Sequence, residues 1–246
     1  MGKQRIEAAL REATDTQKVG IGAGALASVP DVFREGFGDS PAVVVADGNT
    51  FEVAGREVQR RLERAGHTMI ESYVFPAEPP LYAEYGNIEK LRDSLREHDA
   101  IPVAVGSGTI NDIVKRSAHE CERPYMCVAT AASMDGYTAF GASIEKDGLK
   151  QTLSCPAPRA VVGDLGVLKH APEEMTASGY ADLLGKVTSG ADWLIADALE
   201  VEKINPVGWS LVQDHLCGWT ESPAELRAGD QGSTKRLMEG LILSGL

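Results

Sequence analysis

The sequence predicts an α/β fold, with a parallel β-sheet covered by helices over residues 1–165 and an all-helical part over residues 166–246. Three observations carry this. Short apolar runs alternate with helix-period segments through the first 115 residues, the pattern of strands that return in one direction through crossover helices. The run Ile101–Val105 breaks at Gly106-Ser107-Gly108 and resumes at helical spacing through Ile110, Ile113 and Val114, a strand–turn–helix unit. From Ala181 onward the patterns are helical, with no strand runs.

In chain order, residues 3–13 read as a surface helix with Ile6, Ala9, Leu10 and Ala13 on one face. Lys18–Ile21 reads as a strand, then Gly22-Ala23-Gly24 as a plain turn, or else a glycine pair lining a nucleotide site, and Ala25–Phe37 as a helix. Ala42–Ala46 is a buried strand ended by Asp47-Gly48-Asn49, and a helix over Thr50–Ala65 turns Phe51, Val58 and Leu62 inward. His67–Phe75 reads as a strand, Pro76, Pro79 and Pro80 mark a loop, and Ile88–His98 is a helix leading into the Ile101 strand. Beyond the central helix, Tyr125–Ala129 is a buried strand opening into Thr130–Tyr137. Ser143–Glu145 and Leu149–Leu153 pair across Asp147-Gly148 as a hairpin, and Arg159–Val162 is a last short strand. Pro172-Glu173-Glu174 starts a helix, with proline and acids where a first turn favours them.

A formal net charge of −12 argues against a nucleic-acid or anionic-membrane partner, because no basic field exists to attract one. An anionic substrate must then be held locally, by backbone N–H groups or a few placed lysines. No apolar run approaches the ~20 residues of a membrane span, and Met1–Asp15 is charged and amphipathic, unlike a secretion signal. The expected location is cytoplasmic. Cys121, Cys127, Cys155 and Cys217 lack metal-site spacing and read as reduced thiols. None of the five histidines is paired at HxxxH spacing, and each reads as a surface or packing residue.

The Gly106-Ser107-Gly108 turn can bring bare backbone up to a ligand, and the helix after it aims N–H groups and a positive dipole end at the same space. That is a site for phosphate or pyrophosphate, or else a tight turn with no ligand. Asp47 can accept the hydroxyls of a ribose, or be an ordinary turn aspartate, since Asp-Gly-Asn is turn chemistry. Thr130, Ser133 and Asp135 follow the next strand, at the sheet edge where open parallel sheets bind ligands; the bland alternative is a loop with a capping aspartate. Asp182 is either one ligand of a divalent metal or half of a surface ion pair with Lys186, four residues on.

Val105-Gly-Ser-Gly-Thr-Ile-Asn-Asp112, Ala129-Thr-Ala-Ala-Ser-Met-Asp-Gly-Tyr137 and Ser178-Gly-Tyr-Ala-Asp182 together resemble the sn-glycerol-1-phosphate dehydrogenases. Those enzymes belong to a superfamily with iron-containing alcohol dehydrogenases, glycerol dehydrogenases and 3-dehydroquinate synthases. The resemblance implies a Rossmann-like nucleotide-binding domain over 1–165 and a helical domain over 166–246, incomplete here, with metal and substrate in the cleft between them. It implies that Asp47 holds the adenosine ribose and that Gly106, Ser107, Gly108, Thr109, Ile110, Asn111 and Asp112 form or support the pyrophosphate loop. Thr130 and Ser133 would line the cofactor site, Asp135 would bind substrate, and Asp182 would bind both substrate and metal, as the catalytic pair. The implied cofactors are NAD, with NADP as the alternative, and zinc, with nickel or iron as alternatives. The implied reaction interconverts dihydroxyacetone phosphate and sn-glycerol 1-phosphate, a small phosphorylated ketone and polyol, with a metal acting as Lewis acid on the substrate oxygen. The Asp47 carboxylate should repel a ribose 2′-phosphate, which favours NAD over NADP.

Two departures from the family pattern stand out. Ala139 replaces a serine common in the family, removing one group from the cofactor side, and the family's two metal-binding histidines have no counterpart in His170 or His215. The expectation is a C-terminally truncated chain with impaired catalysis, whose uncovered apolar face would favour homo-oligomers. The alternatives are a glycerol dehydrogenase, a 3-dehydroquinate synthase-like enzyme (although no Gly-Gly-Lys-Thr loop follows Asp135), or a non-catalytic nucleotide-binding fragment.

Overall fold

The computed structural model describes residues 2–246. Strands buried on both faces are apolar throughout, and the segments with that pattern assemble into one six-stranded sheet of order β1-β8-β5-β4-β2-β3, every neighbouring pair parallel. Its strands are β1 Lys18–Gly22, β2 Ala42–Asp47, β3 Tyr73–Phe75, β4 Ile101–Gly106, β5 Met126–Ala129 and β8 Ala160–Asp164. β6 Ala142–Lys146 and β7 Leu149–Leu153 form a separate antiparallel hairpin. The helices of this half are α1 Gly2–Ala9, α2 Val29–Phe37, α3 Gly48–Thr50, α4 Arg56–Arg64, α5 Tyr85–Leu95 and α6 Gly108–Glu120.

Period-2 alternation along the strands decides the two layers. Val43, Val45, Ala104 and Cys127 pack under Leu91 and Leu95 of α5 and Ile110 and Ile113 of α6. Val44, Ala46, Val103 and Val105 face the other way, onto Phe33 of α2 and Val58 and Leu62 of α4.

After β8 the described residues are helical: α7 Leu165–Leu168, α8 Glu173–Ala198, α9 Pro206–Val212, α10 Leu216–Thr220, α11 Pro223–Arg227 and α12 Gln231–Gly245. Leu183 of α8 and Leu237, Met238 and Leu241 of α12 share one core with Val161 of β8, so packing is continuous across residue 165. The outer side of α8 leaves Leu184, Val187, Leu194 and Ile195 exposed. No helix among the described residues is long and apolar enough to cross a membrane.

Two elements differ from expectation. The strand expected over His67–Phe75 is confined to Tyr73–Phe75, with an isolated bridge from Met69 to Ala42. As an edge strand it has one neighbour, and just before it the Ser72 hydroxyl donates to Gln59 Oε1 at 3.1 Å. The helix expected over Thr50–Ala65 is not uniform: α3 passes through a widened π turn, Phe51–Gly55, before α4 begins. Such single-turn widenings recur at functional places in helices.

Gly22-Ala23-Gly24 is a turn held from far along the chain. Gly24 adopts φ +71°, and Asp164 accepts from the N–H groups of Gly24 at 3.2 Å and Leu26 at 2.9 Å, 140 and 138 residues apart in sequence. The same carboxylate caps α7 through the Gly166 N–H at 2.8 Å.

Candidate functional site

Because all six strands run the same way, their carboxyl ends share one edge. The register sets Gly106 beside Ala129 and Ala129 beside Gly163, so Gly106, Thr130 and Asp164 stand in a row there. The chain steps outward from β2 to β3, then returns to the other side of β2 to make β4. This reversal opens a crevice between the ends of β2 and β4, the place where open α/β sheets bind ligands. Asp47 and Gly106 flank it.

On the β4 side, α6 begins at Gly108, and Ser107 places no side chain on its first N–H groups. Those groups carry the positive end of the helix dipole. The glycines also serve packing. A Cβ on Gly106 would lie 2.5 Å from Ile110 Cβ, and one on Gly108 3.0 Å from Met134 Sδ. A cavity of about 330 Å³ opens beside this turn, lined by Thr109, Asp112, Met134, Ser143 and Lys150 among others.

On the β2 side, Asp47 Oδ1 accepts from the N–H groups of Asn49 and Thr50, both at 2.9 Å, while the Asp47 N–H donates to Thr50 Oγ1 at 3.1 Å. This reciprocal cap fixes the carboxylate at the crevice mouth. Across the edge, Thr130 is buried, and its N–H donates to the Gly106 carbonyl at 3.0 Å, tying the two strand ends together. Ser133 Oγ lies 3.4 Å from the Tyr137 hydroxyl, which donates to the Ala131 carbonyl at 2.7 Å.

Asp135 and Asp182, 47 residues apart, meet: the Asp135 N–H donates to Asp182 Oδ2 at 2.7 Å. Gly179 permits this approach, because a Cβ there would lie 2.1 Å from the Ala132 carbonyl oxygen. Helix α8 thus rests backbone-to-backbone on the loop, and Asp182 is delivered one turn later. Lys186 Nζ is ion-paired with Asp135 Oδ2 and lies 3.8 Å from Asp182 Oδ1. Burial, then the negative charge of Asp135, raises the Asp182 carboxyl above its ordinary pKa, opposed by the Asp135 N–H and by Lys186.

Asn111 and Asp112 serve the loop behind the crevice. Asn111 Nδ2 donates to the Gly136 carbonyl at 3.2 Å, and Tyr125 Oη donates to Asn111 Oδ1 at 3.0 Å. Asp112 Oδ2 accepts from the Ser143 N–H at 3.2 Å, anchoring β6. Lys115, which sequence reasoning missed, is the strongest support: its buried ammonium donates to the carbonyls of Gly136 at 2.8 Å, Ala139 at 2.8 Å and Gly141 at 2.9 Å. Ala139 thus contributes its backbone oxygen to this clamp. A lysine on the apolar side of a helix, followed by a glycine-rich loop, was the available signal.

Burial pushes the Asp112 carboxyl up from 3.8 to about 6, against the pull of Lys115 and the Ser143 N–H. The folded chain then holds this proton more tightly than the unfolded one, so stability falls as pH rises from about 4 to about 6, by up to about 3 kcal/mol. Asp112→Asn should flatten the urea-unfolding free energy across that window. An unchanged slope would show that Asp112 titrates normally.

A catalytic metal takes about three protein ligands, and the residues present do not fit one. Asp182 is engaged by the Asp135 N–H and faces Lys186. His170 Nδ1 bonds the Gly166 carbonyl at 2.7 Å, and His215 lies against the Trp219 ring. Among the described residues, no group of three His, Cys, Asp or Glu side chains is placed to hold a metal.

The chain is 35% identical over 242 residues to a protein of Bacillus velezensis named glycerol-1-phosphate dehydrogenase [NAD(P)+], a match covering 98% of this chain and 61% of that one. A Bacillus subtilis protein of the same name is 36% identical over 211 residues, covering 83% of this chain and 52% of its own length. The chain therefore spans roughly half to three-fifths of these relatives. Among solved structures, a glycerol dehydrogenase of Schizosaccharomyces pombe superposes with TM-score 0.72 at 21% identity, over 94% of this chain and 61% of that one. A maleylacetate reductase of Agrobacterium tumefaciens gives 0.71 at 18%, over 94% and 63%; at such identities the likeness is one of fold. The family model described as iron-containing alcohol dehydrogenase matches residues 20–172, well over half of the chain, and with the glycine turn, the capped Asp47 and the Asp135–Asp182 contact on one sheet edge, this chain belongs to that family.

Proposed function

We propose that this chain binds NAD(P) and belongs to an oxidoreductase that interconverts dihydroxyacetone phosphate and sn-glycerol 1-phosphate. The observation that carries the reading is the crevice at the β2–β4 reversal, with the α6 N-terminus on one side and the Asp135–Asp182 contact on the same edge. The shared name of the bacillary relatives, glycerol-1-phosphate dehydrogenase [NAD(P)+], supports the substrate and cofactor class.

In this reading the first-turn N–H groups of α6, reached over Gly106, Ser107 and Gly108 and continuing through Thr109 and Ile110, receive the pyrophosphate. Asp47, with Oδ1 committed to its own cap, presents Oδ2 to the ribose. Thr130 and Ser133 line the cofactor, and Asn111 and Asp112 hold the loop behind it. Asp135 accepts a substrate hydroxyl, and Asp182 fixes the backbone of Asp135. The dinucleotide, when bound, supplies or accepts the hydride. A metal would need ligands beyond Asp182.

The test is a fluorescence titration with NADH and NADPH, followed by NADH oxidation with dihydroxyacetone phosphate or free dihydroxyacetone. Saturable NADH binding is expected, weaker for NADPH because of Asp47 and lost in Gly108→Trp. Turnover should be slow and specific to the phosphorylated ketone. No binding by a folded chain would overturn the cofactor assignment; preference for the free ketone would overturn the substrate.

A further inference from the structure

Two carboxylates in one partly buried cleft repel each other unless a cation sits with them. In the Asp135–Asp182 cleft that cation is Lys186. Its side chain is only 22% exposed, against 23% for Asp135 and 31% for Asp182. It belongs to the same helix as Asp182, yet its closer partner is Asp135, 51 residues away. Its backbone is also held: Gln213 Nε2 donates to the Lys186 carbonyl at 2.9 Å, and Gly190 gives Gln213 room, since a Cβ there would lie 2.5 Å from Nε2. The ammonium is therefore a seated charge rather than one waving in solvent.

We propose that Lys186 is a built-in counter-ion occupying the cation position between Asp135 and Asp182, and that in this chain it keeps divalent ions off the carboxylate pair. This adds a second reason why these residues do not fit a metal centre: besides the want of a third ligand, the two carboxylates already share a lysine. The inference concerns the site assigned above but rests on the ion-pair geometry, whichever cofactor or ketone the crevice takes.

Mn²⁺, which favours oxygen ligands, is a suitable probe, with free ion followed by electron paramagnetic resonance and neither cofactor nor ketone present. Wild type and Asp182→Asn should take up Mn²⁺ equally, showing no binding at Asp182. Lys186→Gln should gain a site about tenfold tighter than any in wild type, because the charge that repelled the ion is gone. Lys186→Gln combined with Asp182→Asn should lose it again, and Lys186→Arg should behave like wild type. Binding by wild type that disappears in Asp182→Asn would overturn the proposal without any change at Lys186. So would folded Lys186→Gln that gains no Asp182-dependent site. Because no dinucleotide is used, failure of the cofactor assignment leaves this result readable.

Discussion

Lys115→Met is expected to destabilise the folded chain by about 3–5 kcal/mol, the range for removing one partner of a buried charged network, and to weaken NADH binding severely. Lys115 is 1% exposed, and its ammonium donates to three carbonyls of one loop. Methionine fills similar volume but donates nothing: the Ala139 and Gly141 carbonyls lose this donor, at about 1–3 kcal/mol for each one left bare, while the Gly136 carbonyl keeps Asn111 Nδ2. Asp112 would lose a neighbouring positive charge as well, which pushes its carboxyl further up. The loop so released spans Gly136 to Gly141 and begins next to Asp135, so damage should appear at the crevice before the sheet is affected. Arginine should not rescue, because a planar fork cannot reproduce three donors converging from one small nitrogen. Urea unfolding with a parallel NADH titration measures both effects; a near wild-type midpoint would refute the clamp.

Gly179→Val is expected to cost about 1–3 kcal/mol, as overpacked interiors do, and to pull Asp182 away from Asp135. The added Cβ would lie 2.1 Å from the Ala132 carbonyl oxygen and 3.0 Å from Leu241 Cδ1. The nearer obstacle is backbone and cannot swing aside, so α8 must retreat, breaking the 2.7 Å hydrogen bond one turn further on. Gly185 in the same helix is the control: it is exposed and nothing lies within 4 Å of its Cβ. Gly185→Ala should stabilise the helix by about 0.5–1 kcal/mol through propensity alone. Equal melting points for the two variants would mean that Gly179 is not a point of close approach.

Much of the α/β half was legible in the sequence, because strands buried on both faces are written as unbroken valine and alanine runs and the glycine turn separates two periodicities. Ala42–Asp47, Ile101–Gly106 and the β6–β7 hairpin lie within a residue or so of expectation. His67–Phe75 misled because apolar content does not reveal that a strand will have a single neighbour. The site was harder to read. Spacing alone treats Asp135 and Asp182 separately, and only the family resemblance joins them at one substrate; their direct meeting depends on Gly179, whose value is a missing side chain. The expected Asp182–Lys186 pair is the longer of the two contacts Lys186 makes, since helical spacing reports only partners on the same helix. Lys115 escaped notice because a charged residue in a helix reads as solvent-facing until its carbonyl partners fold over it.

The pairing of β1 with β8 also governs when the molecule can assemble. Lys18–Gly22 is synthesised some 140 residues before its ladder partner Ala160–Asp164 and the carboxylate that fastens its turn. Until then a nascent chain holds a bare strand at one end and an unprotected β5 edge at the other. Contacts of such long range slow folding and leave edges open to wrong partners. Asp164→Ala should therefore lower the yield of correctly folded protein during synthesis more than its effect on the finished molecule would suggest.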